Sequence, residues 1–125
     1  MLTGYQKTKA VALILSRINP EDYSLLSPDM LKQLIGQCVD ADFDYMISQK
    51  ISRRDGTDGE NYYNKDNAFN YICDALFEKN GFPEEYEDEL CALVDDYMDF
   101  NRSYLELNGL SYHEDERVLG YWPRR

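Results

Sequence analysis

The sequence predicts an all-α fold: a compact bundle of four to five helices, with a long helix in the C-terminal half and a docked C-terminal tail. Three observations predict it. Apolar residues recur at three- and four-residue spacings in four separate segments, the signature of amphipathic helices. The segments are divided by Pro, by Asn-Gly or by a loop with two glycines, which helices cannot cross easily. The chain has 125 residues, 43% of them hydrophobic, which suits one domain, residues 1–125, around a single core.

The first helix is expected from about Tyr5 to Arg17, with Val11, Ile14, Leu15 and Ile18 on one face. AVALIL at 10–15 could also form a short buried strand, but its alanines and flanking lysines favour helix. Asn19-Pro20 ends it. Ser27 then offers an N-cap, Pro28 suits the first helical position, and Asp29 places negative charge at the positive end of the helix dipole. That second helix should run to about Ser52, carrying Leu31, Leu34, Ile35, Cys38, Tyr45, Met46 and Ile47. RRDGTDGEN at 53–61 breaks it, and 53–63 is expected to be a flexible loop.

A third helix is expected over Lys65–Lys79, with Phe69, Ile72, Cys73 and Leu76 inward and Asn80-Gly81 as its stop. Pro83, Glu84 and Glu85 open a fourth. Tyr86, Leu90, Leu93, Tyr97, Phe100, Tyr104 and Leu107 alternate by four and three through it, a bundle or coiled-coil seam. Cys91, Val94, Met98 and Leu105 widen that seam to suit an intramolecular bundle. Asn108-Gly109 ends it. The non-periodic tail, 110–125, holds Tyr112, Val118, Leu119, Tyr121 and Trp122, too apolar to stay free, so docking on the bundle or a partner is expected.

Charge is distributed unevenly. The net charge is −11, and residues 55–125 hold 18 acidic against 6 basic side chains, with no basic residue between Lys79 and Arg102. Direct nucleic-acid binding is disfavoured, because phosphate contacts need a basic surface. A basic protein partner is favoured instead, although such a charge also serves solubility alone. No apolar run reaches membrane-spanning length, and the N-terminus does not read as a secretory leader. Cys38, Cys73 and Cys91 are odd in number and widely spaced. Reduced, buried thiols and a cytoplasmic location are therefore expected.

Chemical signatures are sparse, and no catalytic residue, metal site or cofactor is assigned. The lone His113 sits in HEDE without a nucleophile or orienting acid nearby, and reads as a solvated side chain. Joined to the three cysteines it lacks the close ligand spacing of structural zinc sites. Asp40, Asp42 and Asp44 mimic the opening of a calcium loop. Tyr45 then stands where that loop needs glycine, and Ile51 where it needs glutamate. Asp55–Asp66 fails likewise at Thr57 and Gly59. Asp40/Asp44, Glu85/Asp88 and Asp96/Asp99 could pair carboxylates for magnesium, as in helical nucleotide pyrophosphatases. The glutamate-rich first half of that family's pattern is absent.

The acidic stripe of the fourth helix remains: Glu84, Glu85, Asp88, Glu89, Asp95, Asp96 and Asp99. It extends about 21 Å at 1.5 Å per residue. Like charges four residues apart weaken a helix by a few tenths of a kcal/mol each, a cost a purely structural helix could avoid. The chain also has 11 tyrosines. Tyr62, Tyr63, Tyr112 and Tyr121 lie off the seam and, with Trp122, are candidate interface residues.

DGTDGENYYNKD (55–66), followed by a short amphipathic helix ending in Asn-Gly and then Phe82, resembles colicin-type nuclease immunity proteins over about a quarter of the chain. Those are small acidic four-helix proteins in which a tyrosine pair and nearby carboxylates cap a basic nuclease. The resemblance implies such a role for Asp55, Asp58, Tyr62 and Tyr63. Asn64 replaces the proline after the tyrosines, the spacing to the next helix differs, and the long fourth helix has no counterpart.

The expected function is that of a small acidic protein-binding domain acting on a basic partner, as an inhibitor, immunity-type protein or nucleic-acid mimic. The binding residues would be the seven carboxylates with Tyr62, Tyr63 and Trp122. A helical self-association module, or a magnesium-dependent phosphohydrolase, is the alternative.

Overall fold

The computed structural model describes residues 1–114. Among them are four α-helices: α1 (Lys7–Arg17), α2 (Pro28–Ser48), α3 (Lys65–Asn80) and α4 (Glu87–Leu107). Single 3₁₀ turns at Pro20–Asp22 and Glu84–Tyr86 precede α2 and α4. No strand occurs among the described residues. The all-α bundle expected from the periodicity is the fold of the chain. Helices α2 and α4 pack on one another, and each also packs on both α1 and α3, which take the two flanks.

The local start and stop signals account for most boundaries. Ser27 Oγ accepts the Met30 N–H at 3.2 Å, and Pro28 opens α2. Asn64 accepts the Asn67 N–H at 3.0 Å to open α3, and Gly81 closes it in the left-handed region at φ +62°. Helix α4 has no side-chain cap, but Glu87, Asp88 and Glu89 fill its first turn. Acids there favour the helix through its dipole.

Two expectations need correction, the end of the second helix and the strict seam of the fourth. The second helix stops at Ser48 rather than near Ser52. Lys50 turns to φ +58°, and the Ile51 and Ser52 N–H groups both reach back to Met46 O, which drives Ile51 into the core. The loop at 53–63 makes backbone hydrogen bonds to the chain on either side of it. Leu2 N–H bonds to Gly56 O at 2.8 Å, while Gly59 N–H reaches Ile51 O and Asn61 N–H reaches Lys50 O, each at 2.9 Å. The seam also drifts: Leu107 is 68% exposed, and Asn101 is buried between Tyr97 and Tyr104. A 3.6-residue helix walks away from a strict heptad by about 20° per repeat.

The start of the tail docks as expected. Ser111 N–H meets Met1 O at 2.9 Å, Tyr63 N–H meets His113 O at 2.6 Å, and Tyr112 is buried. Tyr121 and Trp122 lie outside the described residues.

Candidate functional site

The centre of the bundle is polar at one point. Asp42 projects from α2 with no exposure and accepts three tyrosine hydroxyls: Tyr97 of α4 at 2.7 Å, and Tyr63 and Tyr112 at 3.0 Å each. Asn101 extends the network, donating to Tyr112 at 2.6 Å and to Tyr97 at 3.3 Å and accepting from Tyr5 at 2.6 Å. The rings of Tyr63 and Tyr112 stack with centroids 4.0 Å apart. Burial pushes the Asp42 carboxyl up to about 6, and the hydroxyls of Tyr97, Tyr112 and Tyr63 hold it back from rising further. Tyr97 and Tyr112 are raised far above the usual tyrosine range by the same burial, so they remain protonated donors.

Two aromatic residues expected at an interface, Tyr63 and Tyr112, therefore serve the interior instead. Each has the polar hydroxyl that an aromatic ring needs in order to satisfy a buried carboxylate. Tyr62 remains exposed, with its ring 4.7 Å from that of His113. His113 is half-buried there rather than fully solvated. The third aromatic candidate, Trp122, lies outside the described residues.

The seven carboxylates of the stripe do not form one uniform surface. Glu89 faces the segment after the first 3₁₀ turn, taking Ser24 Oγ at 2.9 Å and the Leu25 N–H at 3.0 Å. Asp96 accepts the buried Tyr23 hydroxyl. Asp99 lies 3.8 Å from Lys65 Nζ. Glu84, Glu85, Asp88 and Asp95 are exposed, and among the described residues none has a cation within ion-pair distance.

Of the candidate metal pairs, Glu85/Asp88 stays exposed together, while Asp96/Asp99 and Asp40/Asp44 are divided among different neighbours. Asp40 pairs with Lys7 at 2.9 Å, Asp44 is exposed, and Asp42 between them points into the core. No group of three His, Cys, Asp or Glu side chains suited to a metal ion occurs among the described residues. Asp55 closes a local turn on the Thr57 N–H at 3.0 Å, and Asp58 meets the N-terminal ammonium at 3.1 Å. With Tyr63 buried, only Tyr62 of the immunity-like set is left facing outward without such a bond. Comparisons with protein-family models, with characterised proteins and with solved structures gave no match for this chain.

Proposed function

We propose that this chain is a small acidic protein-binding domain that holds a basic protein partner, in the manner of an inhibitor or nucleic-acid mimic. One observation carries the reading: Glu84, Glu85, Asp88 and Asp95 face solvent together on one edge of the bundle, without a neutralising cation among the described residues. Such an edge attracts cationic surfaces and repels phosphate backbones. Part of its charge has a structural use, since acids in the first turn of α4 favour that helix. Asp95 lies beyond that turn and gains little from the dipole. A cytoplasmic setting belongs to the same reading, supported by free Cys38, Cys73 and Cys91. Among the described residues, no helix is long and apolar enough to cross a membrane.

The self-association alternative loses its main support, because Leu90, Leu93, Tyr97 and Tyr104 of the seam are buried within the chain's own bundle. The test is retention of immobilised basic proteins, such as a histone and a cationic nuclease, at low and high salt, with Asp88→Lys/Asp95→Lys alongside. Salt-sensitive retention that weakens in the variant supports the proposal. Retention of neither protein, or retention indifferent to salt and to the variant, overturns it.

A further inference from the structure

Between α3 and α4, beside the acidic edge, runs a groove of about 730 Å³. Partly buried Phe69, Phe77, Phe82 and Cys91 make its floor, and exposed Asp74, Glu78, Glu84 and Glu87 make its rim. No lysine or arginine lines it. The ring of Phe82 is braced by Tyr86, with centroids 4.8 Å apart and planes 18° from parallel. The anchor surface is thus partly ordered in advance, which lowers the entropy cost of binding. Aromatic floors of this kind are the usual energetic centre of an interface.

Resting on the reading above, we infer that this groove is the docking site for a basic, amphipathic segment of the partner. One or two of its apolar side chains sit on the phenylalanines while flanking lysine or arginine heads meet the four rim carboxylates. The chemistry selects that occupant. Long basic side chains lay their methylene stems along aromatic surface and keep their charged heads at the rim. An acidic peptide, a nucleic acid or an anionic lipid surface would set like charges against Asp74, Glu78, Glu84 and Glu87. A purely apolar segment would leave those carboxylates partly desolvated and unpaired.

Three labelled peptides test it by fluorescence anisotropy against the full chain. One is a helix of leucines at three- and four-residue spacing with lysines between; the second replaces each lysine by glutamate; the third is oligolysine of equal charge. The expected result is salt-sensitive binding of the Leu/Lys peptide at least about tenfold tighter than of oligolysine, with the Leu/Glu peptide unbound. Glu84→Lys/Glu87→Lys should weaken it far more than Asp88→Lys/Asp95→Lys, with the helical circular dichroism of both variants retained. On the unmodified chain, bound peptide should slow alkylation of Cys91, the half-exposed cysteine on the groove floor.

Equal binding of oligolysine, equal loss in the two double variants and no protection of Cys91 would overturn the groove while leaving a basic partner in place. No binding of any cationic peptide would remove both readings. The chain's own 115–125, DERVLGYWPRR, offers similar chemistry in sequence. Leu/Lys binding that emerges only in Trp122→Ala would make that segment the occupant and overturn the assignment to a partner.

Discussion

Tyr97 donates its hydroxyl to Asp42 at 2.7 Å, joining the middle of α4 to the middle of α2 at the least accessible point of the bundle. Tyr63 from the loop after α2 and Tyr112 from the chain beyond α4 converge on the same carboxylate. Its bonding partners are neutral hydroxyls, so the ionised form is stabilised by hydrogen bonds alone. Withdrawing any one of these hydroxyls leaves the buried carboxylate short of a donor, which ties the three segments to one another.

The pH dependence of folding follows from that carboxylate. Asp42 is raised from 3.8 to about 6 by burial. The folded chain therefore binds a proton that the unfolded chain has released between those values. The stabilisation is fully present below about pH 4 and is lost as pH rises through 6, a span worth about 3 kcal/mol. Repulsion within a chain of net charge −11 acts in the same direction. The urea midpoint is expected to be higher at pH 5 than at pH 7.5, and Asp42→Asn is expected to flatten the difference. Equal midpoints in the parent chain would contradict this account.

Asn101 is the second point of the network. Replacing it by leucine, of similar volume, strands the Tyr5 hydroxyl and removes a donor to Tyr97 and to Tyr112. Buried groups left unpaired cost about 1–3 kcal/mol each, so a loss of at least about 2 kcal/mol is expected. Tyr5→Phe leaves Asn101 Oδ1 as the single unpaired group and keeps both donations from Asn101, so it should cost less, about 1 kcal/mol. Urea melts of the two variants check both the size and the order.

How much of this could be read beforehand depends on the range of the signal. Ser27-Pro28, Asn80-Gly81 and Asn108-Gly109 act within one helical turn, and those ends fall where they were expected. Asp42 is masked in the sequence because alternation at 40, 42 and 44 imitates a calcium loop. Its place four residues after Cys38 and three before Tyr45 puts it on the buried face, a signal present in the sequence. Asn101 is masked by the strict heptad, which places Phe100 inward. The partners of Glu89 and Asp96 come from Tyr23–Leu25, more than sixty residues away, and no local pattern announces them.

The loop between α2 and α3 should be intolerant at two glycines. A Cβ on Gly59 would lie 2.2 Å from Lys50 O, and one on Gly56, at φ +88°, would lie 2.6 Å from Thr3 N. Backbone atoms cannot step aside as side chains can, so either change to alanine should cost about 2 kcal/mol or more. Gly4→Ala is the control, since that position has φ +91° but open space around it. About 1 kcal/mol is expected there from the backbone conformation alone. Thermal melts showing Gly59→Ala no worse than Gly4→Ala would refute the packing of this loop.

The division of the acidic stripe into fastened and free carboxylates can be separated by alanine substitution. Glu89 holds Ser24 and the Leu25 N–H, and so fixes the connection into α2. Glu89→Ala should cost about 1–2 kcal/mol, as expected when a charged acceptor is withdrawn from two donors at a partly exposed site. Asp95 is exposed within α4, beyond its first turn. Asp95→Ala removes like-charge repulsion and introduces a better helix former, so stability should be unchanged or higher by about 0.5 kcal/mol. Retention of a basic protein should respond in the opposite order, weakening with Asp95→Ala more than with Glu89→Ala. If Asp95→Ala instead destabilises the fold as much as Glu89→Ala, Asp95 has a structural task and is not free to meet a partner.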